Sequence, residues 1–361
     1  METRNDLELF FFKNFEIAAN GLSQELSNHL RGANLFITGG TGFFGSWILW
    51  LLHWLNQEHQ ISFKATVLSR APALFIQTHP EFEKLKFLDY LTGDVRNFTY
   101  PEKHFTHILH GATTASARLN QDNPLLMLNT IVEGTAHVLN FAKHCGAGRL
   151  LLTSSGAVYG KQPPHLTHIP EDYLGAPDLL SPASAYGEGK RLAEHLCALH
   201  LKQNGIQSIV ARCFAFVGPY LPLDTHFAIG NFLKDGISKQ SISVHGDGTP
   251  LRSYLYGADL AVWLLTLLTR GTPGSAYNVG SEESLSIHET AKTVSETLNH
   301  LGKGSIPVNV ALNSTNQLSK PEQYIPLTNK ARNELGLRQN FSLVQAIQET
   351  ILWYDLTHSD G

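Results

Sequence analysis

Residues 38–45 read Thr38-Gly39-Gly40-Thr41-Gly42-Phe43-Phe44-Gly45, and their reading decides the fold. An apolar run, Asn34–Thr38, leads into them, and a helix is expected at once behind them, through the strongly apolar stretch from Trp47 to Trp54. Glycines at 39, 42 and 45 permit a tight turn. They also let backbone amides approach a pyrophosphate at the helix N-terminus, where the helix dipole favours negative charge. The spacing is G-x-x-G-x-x-G, not the G-x-G-x-x-G of common dehydrogenases. A glycine triplet alone is a weak signal. Placed after a first strand and before a helix, it points to a dinucleotide site.

Working outward, short apolar runs recur at Ala65–Leu68, His107–His110, Arg149–Thr153 and Ser208–Arg212, separated by helix-length segments. Buried runs alternating with helices predict an α/β protein with a doubly wound parallel sheet. Residues 1–32 read as an N-terminal helical extension and 33–213 as the dinucleotide-binding domain. Residues 214–361 read mainly as a smaller C-terminal α/β lobe for substrate, with 250–280 returning to the sheet domain. Ser286-Ile287-His288-Glu289 has the form of a capping box. A helix is expected from near Thr328 and another from Ser342 to about Tyr354.

Among 361 residues, 42% are hydrophobic and 16% charged, the balance of an ordinary globular protein. A net charge of −4 leaves no basic footprint for nucleic acid or anionic membrane. Leu9–Phe12 is cut short by Lys13 and Glu16, which excludes a signal peptide or a span there. Cys145, Cys197 and Cys213 are odd in number and unpatterned, so a reducing cytoplasm is expected. Histidine is abundant at 18 residues. His104, His107 and His110 straddle a strand and its lead-in, and His165 and His168 lie in a Pro-rich loop, so no metal site is expected.

Two further stretches carry chemistry. Thr153-Ser154-Ser155-Gly156-Ala157-Val158-Tyr159-Gly160 ends a buried strand either as a plain turn or with a hydroxyl held at the rim of a site. Ser184-Ala185-Tyr186-Gly187-Glu188-Gly189-Lys190-Arg191 places Tyr186 and Lys190 four apart on one helix face. A tyrosine near its ordinary pKa is a poor base, and an adjacent ammonium favours the phenolate. The second strand ends Val67-Leu68-Ser69-Arg70. It lacks the carboxylate that binds ribose hydroxyls and offers an arginine to a 2′-phosphate, which favours NADP over NAD.

From Asn34 to Tyr354 the chain resembles the extended short-chain dehydrogenases/reductases of the nucleotide-sugar epimerase/dehydratase group. The resemblance runs through the glycine turn, Gly93-Asp94-Val95, His110-Gly111-Ala112, Asn129 to Gly134-Thr135, Ser155 and Tyr186/Lys190. It continues through Val244-His245-Gly246-Asp247-Gly248, Arg252-Ser253-Tyr254, Asp259 and Tyr277-Asn278-Val279-Gly280. It implies a Rossmann-type fold, with Ser155, Tyr186 and Lys190 catalytic. It implies NAD(P) contacts from Gly39, Gly42, Phe43, Phe44, Gly45, Ser69, Arg70, Ala112, Asn129, Lys190 and Phe214, with Asp94 and Val95 at the adenine. Asn231 and Arg252 would meet a nucleotide-diphosphate sugar, Arg252 at the diphosphate. The resemblance also implies a homodimer built through the Tyr-Lys helix.

Departures from the group's pattern narrow the reaction. In 4,6-dehydratases Asp and Glu typically follow the catalytic hydroxyl, and in UDP-glucuronate decarboxylases the second position is Glu; here they are Gly156 and Ala157. Ala215 replaces an asparagine that binds substrate in many relatives. What remains is oxidation and re-reduction at one carbon, which favours a 4-epimerase working through a 4-keto sugar. An NADPH-dependent 4-keto-sugar reductase is the alternative that Arg70 supports. The segment around Glu171-Asp172-Tyr173 and Tyr186–Glu194 resembles the decarboxylases and keeps a dehydratase or decarboxylase reading open. A non-catalytic dinucleotide sensor would be expected to have lost the Tyr-Lys pair. Val158-Tyr159 is expected to pack beside the cofactor, with Tyr159 a second candidate base.

Overall fold

Strand β1 (Asn34–Thr38) sits near the middle of a seven-stranded sheet. The computed structural model describes residues 3–113, 117–223, 227–311 and 321–358. The other strands of this sheet are β2 (Lys64–Ser69), β3 (Leu88–Thr92), β4 (His107–His110), β5 (Arg149–Ser155), β6 (Gln207–Cys213) and β7 (Ala276–Val279). Their order is β7-β6-β5-β4-β1-β2-β3, and every pairing is parallel. The inner strands are buried along nearly their whole length, as a sheet covered on both faces requires. The order reverses between β1 and β4, so the carboxyl ends of these two strands flank the crevice where such folds bind ligands.

Two strands fall outside the apolar runs that mark the others. β3 is an edge strand whose residues, Leu-Asp-Tyr-Leu-Thr, are only partly buried, so no continuous apolar run was needed. β7 returns late in the chain to pair with β6, Ala276 opposite Val210 through Val279 opposite Cys213.

Helices α1 (Thr3–Ala18) and α2 (Ser23–Leu30) pack on α3 (Phe43–His59). The cause is compositional. Helix α3 is apolar around most of its circumference, carrying Trp47, Trp50 and Trp54, and such a helix needs cover on every side. Phe11 and Phe15 are fully buried against it, with Phe11 stacked on Trp50 at 4.5 Å. Beyond β6, two-stranded and three-stranded sheets and helices Ala228–Ile237 and Ile287–His300 build a second layer over the carboxyl edge. The capping box forms there: Ser286 Oγ accepts from the Glu289 N–H at 3.0 Å, and Glu289 Oε2 from the Ser286 N–H at 2.8 Å. Among the described residues no helix is long and apolar enough to cross a membrane. The three cysteines are buried free thiols.

Candidate active site

A cavity of about 1530 Å³ opens along the carboxyl ends of the strands. That exceeds the usual range for one small-molecule pocket and leaves room for two sizeable ligands side by side. Gly39, Gly42, Phe43 and Phe44 line one part of it, and Ser69, Arg70, Asp94 and Val95 another. Ala112, Ser155, Tyr186, Lys190 and Phe214 lie between these and Arg252 and Tyr324.

The glycine turn is shaped for a pyrophosphate. Gly39 has φ +75°, and a Cβ there would stand 2.6 Å from the Gly111 carbonyl carbon, so both conformation and space require glycine. Gly42 caps α3 with no side chain on the helix N-terminus. A Cβ at Gly42 would meet only the Gly39 oxygen, at 3.6 Å, so the space over the turn is open to a ligand. Gly45 does a different job: it packs onto Gly40 so closely that a Cβ would lie 2.3 Å from the Gly40 backbone. It is not among the cavity's walls. At the strand reversal, Thr38 Oγ1 accepts the Ala112 N–H at 3.1 Å and pairs with His110 Nδ1 at 2.8 Å. His110 also reaches Thr135 Oγ1 at 3.1 Å. Burial, aided by the Lys190 charge, pushes the His110 pKa down to about 3, so it is a neutral strut between strands.

At the far ends of β2 and β3, Asp94 is held by its own neighbour. Arg96 grips both carboxylate oxygens, at 2.9 and 3.0 Å, and draws the Asp94 carboxyl down to about 2. Arg70 is exposed beside it and makes no hydrogen bond or salt bridge among the described residues. Ser69 Oγ accepts the Ala71 N–H at 3.3 Å. Val95 is buried against Gly134.

The hydroxyl cluster gathers where β5 ends and helix Ala185–Asn204 begins. Ser155 Oγ accepts the Ala157 N–H at 3.1 Å and faces the Tyr186 phenol, whose ionised form it favours, so the strand end holds its hydroxyl inside the cleft. Burial pushes the Tyr186 phenol up to about 12, against the pull of the Ser155 bond. Lys190 makes no hydrogen bond to the Tyr186 hydroxyl. Its Nζ donates to the Thr153 carbonyl at 2.7 Å and to Thr113 Oγ1 at 3.1 Å, and it stands 5.9 Å from the Tyr186 ring centre. Burial brings the Lys190 pKa down to about 8.

Several expected residues lie elsewhere. Tyr159 is buried outside the cavity, donating to Asn278 Oδ1 and accepting from Arg212, each at 2.8 Å. Both bonds occupy its hydroxyl away from the cavity, so it does not serve as a base there. Asn129 is exposed and off the cavity, because Met127, two residues back and thus more than half a helical turn away, takes the inward face. Asn231 also misses the wall, which that helix lines with Ala228 and Ile229 in its first turn. Arg252 lines the cavity while bonded to Glu322 at 2.7 Å.

Tyr324 has no sequence signal. It enters on the short strand Gln323–Tyr324, which pairs with Leu251–Arg252 so that Tyr324 lies opposite Arg252. Its ring packs on Phe214 with centres 4.6 Å apart, and its hydroxyl is 3.5 Å from Ser155 Oγ. Among the described residues no three histidine, cysteine or acidic side chains are grouped as metal ligands.

Comparison with known proteins places this architecture. The chain is 30% identical over 315 residues to UDP-glucuronic acid decarboxylase 3 of Arabidopsis thaliana, covering 87% of this chain and 86% of that one. The solved dTDP-glucose 4,6-dehydratase from Bacillus anthracis, in complex with NAD, superposes with a TM-score of 0.73. It is 21% identical and covers 91% of this chain and 98% of its own. UDP-glucuronic acid 4-epimerase from Bacillus cereus, also in complex with NAD, gives a TM-score of 0.72 at 21% identity, over 91% of this chain and 100% of its own. A profile of the NAD dependent epimerase/dehydratase family matches residues 35–280, through the glycine turn, the hydroxyl cluster and β7. The chain belongs to the NAD dependent epimerase/dehydratase family.

Proposed function

We propose that the protein is an NAD(P)-dependent nucleotide-sugar 4-epimerase acting through a 4-keto sugar. One observation carries the choice within the family: among the described residues, Asp94 is the only carboxylate lining the cleft, and it is tied to Arg96 at the ends of β2 and β3. Around Ser155 and Tyr186 the walls are Ala157, Phe214, Ala215 and Tyr324. Elimination of water from a sugar needs a further acid and base beside the carbons concerned, and among the described residues no carboxylate lines the cleft near Ser155 and Tyr186. Oxidation of a hydroxyl needs only one proton acceptor, oriented by a neighbour. A nicotinamide dinucleotide, when bound, would accept the hydride from that carbon and give it back to the ketone, so no outside oxidant or reductant is needed. Tyr186 takes the proton of the sugar hydroxyl, Ser155 holds the oxygen, and Lys190 fixes the local geometry and charge. When the ketone presents its other face, Tyr186 returns the proton. The small side chains at 157 and 215 leave the ketone room to turn.

Arg252, bonded only at one edge of its guanidinium to Glu322 and its own chain, is the cation we assign to the substrate diphosphate. Arg70 supports NADP as the dinucleotide. Arg70→Ala is then expected to weaken NADP binding by about tenfold or more, at one lost charged contact, and to leave NAD binding within about twofold. Isothermal titration with both dinucleotides checks this, and equal losses for the two would remove the assignment. We assign the reducing cytoplasm as the compartment of the three free thiols, and a homodimer through helices Pro124–Cys145 and Ala185–Asn204. These pack on each other and leave Leu125, Leu126, Leu192 and Leu199 exposed. Leu192→Glu is expected to convert a sedimenting dimer into a monomer.

The reaction is tested by denaturing the purified protein, identifying any released dinucleotide, and offering the native protein a panel of nucleotide sugars. A product of unchanged mass with inverted configuration supports the epimerase. Turnover only with added NADPH on a keto sugar would establish the reductase that Arg70 also suits. A product lighter by carbon dioxide, the reaction named for the Arabidopsis relative, would overturn the epimerase in favour of a decarboxylase. No turnover with any sugar, yet tight dinucleotide binding, would leave a sensor.

A further inference from the structure

Gly156 is more than a lost acid. A Cβ at that position would lie 2.7 Å from the Tyr324 hydroxyl and 2.7 Å from Cζ of Phe214, so the tilted ring pair fills the space a side chain would use. Tyr324 brings a third hydroxyl to Ser155, from a strand whose next-door partner carries Arg252. The hydrogen-bond inventory of Ser155 then fixes directions. A serine hydroxyl has one proton and two acceptor sites. One site takes the Ala157 N–H. When Ser155 gives its proton to Tyr186, the remaining site needs a donor, and Tyr324 is the neighbour that has one. Burial raises the Tyr324 phenol well above its ordinary range, so it keeps its proton wherever Tyr186 ionises first.

We infer that Tyr324 is a positioning residue for the reaction, donating to Ser155 and thereby aiming the one Ser155 proton at Tyr186 in the free site and at the reacting sugar oxygen once substrate is bound. The chain of bonds is Tyr324 O–H to Ser155 Oγ, then Ser155 O–H to the Tyr186 oxygen. At 3.5 Å the first bond is longer than a closed O–H···O contact, a spacing common in ligand-free sites that tighten around substrate. Tyr324 stays protonated throughout, so it does not accept the substrate's proton. Its ring also supports Phe214, which must be separated from the effect of its hydroxyl.

The inference rests on the proposed use of Tyr186 as base, and the test reads the two apart. Tyr324→Phe keeps the ring on Phe214 and removes only the hydroxyl. In the wild-type holoenzyme, with whichever panel sugar turns over, it is expected to lower kcat about tenfold with KM within twofold, and to move the acid limb of the pH profile upward by a few tenths of a unit. The direction follows because a hydrogen bond polarised by a second one is strengthened by about 10–30%. Gly156→Ala, whose methyl displaces the Tyr324 hydroxyl, is expected to show the same loss. Independently of turnover, the ultraviolet titration difference between proteins with and without Tyr186 gives the Tyr186 pKa directly. It is expected to rise in the Tyr324→Phe background. Unchanged kcat, pH profile and titration would overturn the role of Tyr324, whatever the sugar. A shifted titration with no turnover in wild type would keep the hydrogen-bond chain and sink the proposed reaction instead.

Discussion

Tyr186→Phe is expected to lower kcat by about 10³-fold or more, near the upper range for removal of a general acid–base, with dinucleotide affinity changed less than twofold. The substitution removes one oxygen and keeps the ring, itself half-buried and packed against a buried apolar cluster. Loss of kcat without loss of binding identifies an interaction made in the transition state. The expected pH dependence has a definite sign. Burial raises the phenol to about 12 in the ligand-free protein, so Tyr186 is protonated at neutral pH and the rate should climb as pH rises toward its working pKa. A bound oxidised nicotinamide brings positive charge, which moves that pKa down. Steady-state rates with tight-binding controls decide the matter. If Tyr186→Phe retains more than a tenth of wild-type kcat, the base is another group, and the hydroxyl cluster has been misread.

The local parts of the site were legible in the chain because they are written in consecutive residues. The turn from Thr38 to Gly45 needs glycine for reasons of φ and close approach, and both recur in the structure at Gly39 and Gly45. Tyr186 and Lys190 share a face because of helical period, and β5 brings Ser155 to the same place. What could not be read depends on contacts distant in sequence. Tyr324 reaches Ser155 across 169 residues, by a strand of two residues with no pattern of its own. Phase errors are subtler. Asn129 lies on the right helix but turns away from the cleft, and spacing to Met127 would have shown it. Tyr159 sits in the right motif, yet Arg212 and Asn278 hold it in the interior. Asp94 and Arg96 stand two apart, the spacing of a turn that closes on its own carboxylate.

The absence of acids after Ser155 bears on the choice between epimerase and decarboxylase differently from how it bears on a dehydratase. A β-hydroxy acid loses carbon dioxide once its hydroxyl is oxidised to the ketone, and among side chains that oxidation needs only the Ser155–Tyr186 pair, with a dinucleotide to take the hydride. Overall similarity to the Arabidopsis decarboxylase is spread over 315 residues and weighs the fold and the ligand class more than the step. The aromatic wall of Phe214 and Tyr324 weighs the step itself. Beside Ser155 it is a face of rings, and Arg252, opposite Tyr324 on the neighbouring strand, is already bonded to Glu322 and assigned to the diphosphate. A carboxylated sugar would need a further partner for its charge there, a cost a neutral hexose does not meet.

Lys190→Met separates framework from function, and its two expected results point in opposite directions. Catalysis should fall, by about 10²–10³ in kcat/KM, because the ammonium is lost from a site whose base must ionise. Stability at pH 7 should not fall with it. The unfolded chain holds the lysine proton up to about 10.5, whereas burial brings the folded value down to about 8. Below pH 8 the native state therefore carries the full cost of a buried ammonium, about 3 kcal/mol against the neutral amine. Between 8 and 10.5 the unfolded state binds more protons, so wild-type stability should rise with pH relative to Lys190→Met, and level off above that window. The bonds to Thr153 and Thr113 offset part of this cost and are lost in the variant, which places its melting temperature at pH 7 near the wild-type value or above it. The alkaline limb of the wild-type rate profile should report the same group, with activity declining as Lys190 loses its charge. Melting curves at pH 7 and pH 10 give the decisive contrast. A variant that melts many degrees below wild type at pH 7 would make Lys190 a structural tie between β5 and its helix, and its effect on rate would then follow from a displaced Tyr186 rather than from charge.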